Sequence, residues 1–368
     1  MASMNNSLAL LLLLIILIAD HCLPTAAVAE HGYGSSTPSW VNPRLRRLLR
    51  GTAHGELEVT VAKDGSGDYT TIAAAVAAAP NGKERYTVRI REGKYHEQFV
   101  IGRRNVALFG DGMDKTVITA SHGTPHGGNT SASATVTAIG GGFMARDLTI
   151  ENTAGLDGNQ SVALRSNSEH AVLYRCRLQG FQDTLYAENK LQFYLDCEIS
   201  GTVDFIFGDA KAVFQGCRLL VRRPRNGAHN VITAQGRNDL NKSLTGFSFQ
   251  NCSVIAMPKE NLTGVETYLG RPWRNLSHVI FMQSFLSDIV HPSGWVHWNK
   301  SSAVAETART VSYMEYDNWG PGANTSQRVD WEGFSKVTDA KKAEEYTVDR
   351  FINGSEWLPK NIVYKHGL

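Results

Sequence analysis

Apolar residues in this chain recur in short runs broken by Gly, Asn and Asp, and one early run stands apart. Leu8 to Ala19 is an unbroken apolar stretch of 12 residues, too short to span a bilayer comfortably. Ala27-Val28-Ala29 follows as a small-x-small cleavage site, which predicts a signal peptide over residues 1–29. Met1 to Ser7 lacks the usual positive charge. Residues 30–56 read as a linker ending in the basic cluster Arg44-Leu45-Arg46-Arg47-Leu48-Leu49-Arg50. From there the texture changes. Leu57 to Ala62 alternates like a strand, Lys63 to Asp68 reads as a turn, and Thr71 to Ala79 is Ala-rich and helical, stopped by Pro80. No long amphipathic helix follows. Short strands are predicted instead over 87–91, 106–109, 116–119, 134–138, 145–150, 162–164, 171–174, 192–195, 212–214, 231–234, 246–249 and 278–282.

Two of these segments read as copies. Tyr174-Arg175-Cys176-Arg177-Leu178 leads, seven residues after its Cys, to Asp183; Leu195-Asp196-Cys197-Glu198-Ile199 leads, seven residues after its Cys, to Asp204. Cys176, Cys197 and Cys217 fall 21 and 20 residues apart, and Phe249 to Val254 around Cys252 is a later copy after a longer insertion. A period of roughly 20–25 residues with several short strands in it predicts a β-solenoid. An antiparallel sandwich would also have many short strands, but the unequal insertions resemble loops thrown out from one face of a parallel β-helix. Equivalent cysteines on adjacent turns would have Cα atoms about 5 Å apart, within disulfide range. Cys176–Cys197 and Cys197–Cys217 are both open by this geometry, and only one can form.

The same stacking brings chemistry into view. Asp183 and Asp204 would occupy one place on neighbouring turns, about 4.7–4.9 Å apart. Two carboxylates so close cannot both ionise easily, so one keeps its proton near neutral pH. An acid and an anion side by side suit catalysis. A lone Asp in a solenoid is more often a turn residue; the matched offset argues otherwise.

Composition narrows the reading without deciding it. The chain has 368 residues, 42% hydrophobic and 20% charged, with a formal net charge of +2. That is a globular balance with no argument for nucleic acid. No His/Cys/Asp spacing suited to a metal is present, so neither metal nor cofactor is expected. Gly140-Gly141-Gly142 reads as a turn rather than a phosphate loop. Beyond residue 29 lie Asn-x-Ser/Thr sites that include Asn129, Asn241, Asn251, Asn261, Asn275, Asn299, Asn324 and Asn353, some expected to carry glycans in a secreted chain.

Five segments then line up: Gly93-Lys94-Tyr95-His96-Glu97, Gln160-Ser161-Val162-Ala163-Leu164-Arg165, Gln182-Asp183-Thr184-Leu185-Tyr186, Asp204-Phe205-Ile206-Phe207-Gly208 and Leu269-Gly270-Arg271-Pro272-Trp273. In this order they resemble the plant pectin methylesterases, or pectinesterases, from about Val59 to the C-terminus, with Ser161 where Ala is usual. The resemblance implies an all-β right-handed parallel β-helix over residues 57–368, with a short N-terminal helix cap and long loops on one face. It implies de-esterification of methylated galacturonan, with Asp204 as nucleophile and Asp183 as proton donor and then base. Gln160 and Gln182 would stabilise the oxyanion, and Arg271 would orient Asp204 and lower its pKa. Thr130, Gln160, Phe207, Arg271 and Trp273 would contact substrate, and Cys197–Cys217 becomes the favoured disulfide. Tyr95 and Glu97 are read as structural, and His291 and His297 receive no role.

The resemblance also bears on the N-terminus. Many plant members carry an inhibitor-like pro-domain ending at an Arg-Arg-Leu-Leu site; here only about 15 residues separate the expected signal peptide from Arg46-Arg47-Leu48-Leu49, too few for a helical bundle. The chain resembles a member without that domain, cut at the junction to start between Gly51 and Glu58. The expected protein is a secreted, cell-wall monomer acting on methyl-esterified homogalacturonan, with a proteinaceous pectinesterase inhibitor as a candidate partner and neither nucleic acid nor membrane. A galacturonan glycosidase and a catalytically silent wall-binding homologue are the rival readings.

Overall fold

The computed structural model describes residues 57–124, 128–240, 244–298 and 304–368; the expected signal peptide, linker and processing site lie outside them. The fold is the right-handed parallel β-helix. Its strands form one sheet of 17 and one of seven, and the pairings among the described residues are parallel. Around the site each turn contributes three strands. Leu185–Ala187, Leu191–Leu195 and Glu198–Gly201 make one turn; Ile206–Gly208, Lys211–Gln215 and Arg218–Val221 make the next. Leu185 pairs with Ile206, Leu191 with Lys211 and Glu198 with Arg218, so the repeat is realised residue on residue.

The bend that separates the second and third strands explains the sequence copies. It is made by a single left-handed residue: Arg175 (φ 49°), Asp196 (φ 51°), Gly216 (φ 65°), Asn251 (φ 56°) and Gln283 (φ 52°) on successive turns. Asn, Asp and Gly tolerate this region better than other residues. The residue after each bend points inward, and four of these are Cys176, Cys197, Cys217 and Cys252, all buried. They stack in one column, yet all four are free thiols, so the Cys197–Cys217 bond is not formed in this structure. Three of the sulfurs face backbone carbonyls of the preceding turn: Cys197 Sγ lies 3.6 Å from Leu173 O, Cys217 Sγ 3.4 Å from Tyr194 O and Cys252 Sγ 3.3 Å from Phe214 O.

The interior is filled in columns. Tyr194, Phe214, Phe249 and Phe281 stack nearly parallel with centroids 4.5, 4.5 and 4.4 Å apart, close to the spacing of the strands that carry them. The helix cap is Ile72–Ala77, shorter than expected, with Thr71 as its N-cap. Glu97 accepts from Ile72 N (2.9 Å) and Ala73 N (2.8 Å), so its structural reading holds. At the other end, four helices lie in Val304–Thr310, Ala340–Glu344, Val348–Phe351 and Gly354–Trp357. Tyr346, Val348, Phe351 and Ile352 cover an outward apolar stripe of Phe193, Val213, Ile280 and Met282. Among the described residues no helix is long and apolar enough to cross a membrane.

Candidate active site

The seven-stranded sheet carries the site. Its order is Thr267–Gly270, Asn230–Gln235, Ile206–Gly208, Leu185–Ala187, Leu164–Ser166, Val136–Ala138 and Phe99–Ile101. Asp183 and Asp204 each stand two residues before the paired positions Leu185 and Ile206, which puts them in one column on adjacent turns. Both are left-handed, with φ of 65° and 52°, a conformation that costs a non-glycine residue and clusters at functional sites. Both are nearly fully buried, 7% and 4% exposed.

Arg271 separates their roles. Its Nε donates to Asp204 Oδ1 at 2.8 Å and its Nη2 to Oδ2 at 2.6 Å, a fork that requires an ionised carboxylate. Burial pushes the Asp183 carboxyl well above the usual carboxylate range, the Asp204 charge adds to that, and Arg271 opposes it. Asp204 was expected to be depressed. It is raised instead, because burial outweighs the guanidinium and the more distant His229 that pull it down. The order is kept: Asp183, without a cation of its own, holds the proton, and Asp204 is the anion.

The two glutamines meet as expected. Gln160 and Gln182 form a parallel bridge between their turns, and both line the cavity over the Asp pair. Thr124, which sequence reading passed over, donates from Oγ1 to Gln160 Oε1. With its oxygen engaged there, the Gln160 amide keeps its NH2 as donor.

Aromatic rings make one wall. Tyr186 and Phe207 are paired across the sheet and stack at 4.3 Å, with Trp273 edge-on to both at 6.4 and 5.9 Å. The next residue in that column is Ala234, small enough to leave room for the indole. Trp273 also lies against Gly236, where a Cβ would stand 2.6 Å from the ring. Thr130 opens a short 3-10 helix, Thr130–Ser133, beside Gln160 at the opposite rim. The cavity these groups enclose is about 310 Å³.

Sequence reading thus named Thr130, Gln160, Gln182, Asp183, Asp204, Phe207, Arg271 and Trp273, and the structure gathers all eight into one cavity. It missed Tyr186, Ser131 and Trp298. Tyr186 ends the segment Gln182–Tyr186 and, like Phe207, lies three residues after its Asp, so the matched offset between the two copies could have found it. Trp298 sits in a segment given no role; its ring lies 4.2 Å from the Arg271 guanidinium, a cation–π contact that holds Arg271 from its solvent side.

Fold and site together define a parallel β-helix protein with a carboxylate pair, one acid and one anion, under an aromatic-walled cleft. The pectinesterase family model matches residues 58–355. Pectinesterase 2 of Citrus sinensis is 43% identical over 343 residues, 92% of this chain and 66% of its own length. A pectinesterase/pectinesterase inhibitor of Ficus pumila var. awkeotsang is 46% identical over 87% of this chain and 59% of its own. The chain thus spans about half to two thirds of the length of the curated relatives it matches. The solved pectin methylesterase from carrot superposes with a TM-score of 0.81 at 42% identity, covering 86% of this chain and 100% of that one. The chain belongs to the pectinesterase family.

Proposed function

We propose that the protein hydrolyses the methyl esters of homogalacturonan, releasing methanol and leaving a carboxylate, after secretion into the plant cell wall. The observation that carries this reading is the two-point grip of Arg271 on Asp204, beside a protonated Asp183 and the free amide end of Gln160. A carboxylate is a poor nucleophile toward an ester and needs this kind of positioning.

In the proposed sequence one Asp204 oxygen attacks the ester carbonyl carbon. The negative charge that develops on the carbonyl oxygen is met by the amides of Gln160 and Gln182; donors so placed are each worth about 3–4 kcal/mol. The intermediate collapses, the C–O bond to the methoxy group breaks, and Asp183 gives that oxygen its proton, so methanol leaves. Asp183, now a carboxylate, takes a proton from water, whose oxygen attacks the acyl carbon. The bond from that carbon to the Asp204 oxygen then breaks, which restores both aspartates and frees the galacturonic acid group, whose proton passes to solvent to leave the carboxylate. The wall of Tyr186, Phe207 and Trp273 suits the flat apolar faces of sugar rings. Relatives named for both pectinesterase and inhibitor activities support a proteinaceous inhibitor as a partner.

A carboxylate spacing of about 5–5.5 Å would also serve a retaining glycosidase, so the product decides. Purified protein on highly methylated pectin is expected to release methanol with no new reducing ends. Reducing ends without methanol would replace the reading with a glycosidase, and neither product would leave a wall-binding protein.

A further inference from the structure

Gln160 offers the cavity a donor only if its amide is turned the right way, because the two ends of the group are nearly equal in size and opposite in role. Thr124 decides which end that is. Its Oγ1 donates to Gln160 Oε1. A hydroxyl has one proton to give. With the amide turned over, Nε2 would face Oγ1, and that proton would be left to the main-chain oxygen of Gln160, at 3.4 Å. The turned-over amide would also aim an oxygen into the cavity that holds the Asp204 carboxylate, where it would repel the negative charge that the reaction develops.

The segment that carries Thr124 is seated on the turn that carries Gln160 with little play. Thr124 N donates to Gly158 O at 2.7 Å. Gly123 crosses Gly158 so closely that a Cβ on Gly123 would stand 2.3 Å from Gly158 O, and one on Gly158 would stand 2.6 Å from Ser161 Oγ. The buried Asn152 ties the same pieces together. Its Nδ2 lies 2.8 Å from His122 O, 2.9 Å from Val162 O and 3.0 Å from Ser133 O. Those oxygens belong to a residue just before Thr124, a residue just after Gln160, and the short helix that Thr130 opens at the rim. Ser133 Oγ in turn accepts from Val162 N at 3.0 Å. Thr124 is itself buried, where a hydrogen bond is electrostatically stronger than in water.

We propose that Thr124 is a positioning residue for ester hydrolysis, its hydroxyl fixing the Gln160 amide with the NH2 toward the carbonyl oxygen of the ester. The inference rests on the esterase reading. Thr124 acts through Gln160, and Gly123 and Asn152 keep it within reach. Its contribution therefore belongs to the transition state, where the oxyanion forms, and shows in kcat rather than KM. It also exists only while Gln160 is present to be oriented.

The test compares methanol release from methylated pectin by wild type, Thr124→Val, Thr124→Ser, Gln160→Ala and the double variant of Thr124→Val with Gln160→Ala, with thermal melts confirming the fold. Removing an oxyanion donor outright costs about 10²–10³-fold. Freeing one to turn costs less, so Thr124→Val is expected to lower kcat about tenfold with KM changed less than about twofold. Thr124→Ser keeps the hydroxyl and should stay within about threefold of wild type. In the Gln160→Ala background, Thr124→Val should change kcat less than about twofold, since the two residues act as one unit. Thr124→Ala repeats the comparison if the valine variant melts early. An unchanged kcat without the hydroxyl would overturn the proposal. So would an equal loss with and without Gln160, or a change confined to KM. Each of these leaves methanol release by wild type intact; a wild type that releases none overturns the esterase reading and this role with it.

Discussion

Asp183 and Asp204 are chemically identical side chains in equivalent positions, and their environments alone divide the labour. Burial raises both; only Asp204 has a guanidinium fork. The acid side of this arrangement has a stability signature. A carboxyl whose folded pKa is raised stabilises the fold below its unfolded pKa, and that contribution is lost as pH rises through the folded value. Asp183→Asn should therefore raise the melting temperature, with a gain near zero at about pH 4 that grows with pH and then levels off; a gain independent of pH would contradict the assignment. The amide donors make a separate prediction. Gln182→Ala should lower kcat for methanol release about 10²–10³-fold with little change in KM, and a change confined to KM would make Gln182 a binding residue instead. Much of this site was legible residue by residue, because its groups sit in short motifs fixed by the turns. Trp298 and Thr124 were not, because their roles depend on loops that sequence spacing does not position.

Among the elements, legibility was uneven for a physical reason. Strands of the large sheet are mostly five residues or longer, as in the predicted Gln192–Leu195 within the observed Leu191–Leu195. The strands of the site-bearing sheet are mostly three residues long and too short to show alternation, so Phe99–Ile101, Leu185–Ala187 and Ile206–Gly208 went unseen, and 162–164 was placed two residues early relative to Leu164–Ser166. The Cys periodicity reports the bend, since each Cys follows the left-handed residue of its turn. One support of the site was also silent in the sequence. Arg328 donates to both oxygens of Glu315, at 2.7 and 3.1 Å, with both side chains almost fully buried. Trp295 Nε1 lies 3.3 Å from the same carboxylate, and Trp295 bridges to Gly270, the neighbour of Arg271. Arg328→Ala leaves a buried charge unpaired and should cost about 3–5 kcal/mol in denaturant unfolding. A loss below about 1 kcal/mol would mean the pair is solvated in solution.

For the whole molecule, the solenoid turns local side-chain columns into long-range order, and its outer surface needs cover. The C-terminal segment supplies part of it. Gln215 exchanges hydrogen bonds with the Lys365 backbone at 2.8 Å each way, and Gln250 Nε2 donates to Gly367 O at 2.8 Å. His278 lies under that cover, 4% exposed, its ring against Tyr346 and Phe351. Burial, with Arg237, Lys342 and Lys211 nearby, pushes its pKa down to about 3. A His depressed in the folded state stabilises the fold above its unfolded pKa of about 6.5, and that stability is lost as pH falls toward the folded value. His278→Leu should flatten the acid limb of the melting curve between about pH 6.5 and 4, by up to about 1.4 kcal/mol per pH unit; an unchanged slope would show that His278 titrates normally. At the surface, the Asn-x-Ser/Thr sites at Asn129, Asn251, Asn261, Asn275, Asn324 and Asn353 are exposed, so the fold leaves each of these open to a glycan.

The central claim is that an ionised Asp204, gripped by Arg271, attacks a methyl ester. Methanol release from highly methylated pectin by wild type and by Asp204→Ala tests it most directly, with polygalacturonate binding as the check that the variant is folded. The account predicts steady methanol release from wild type and a loss of at least about 10⁴-fold in the variant, with binding retained. Methanol release by Asp204→Ala within about tenfold of wild type would contradict it.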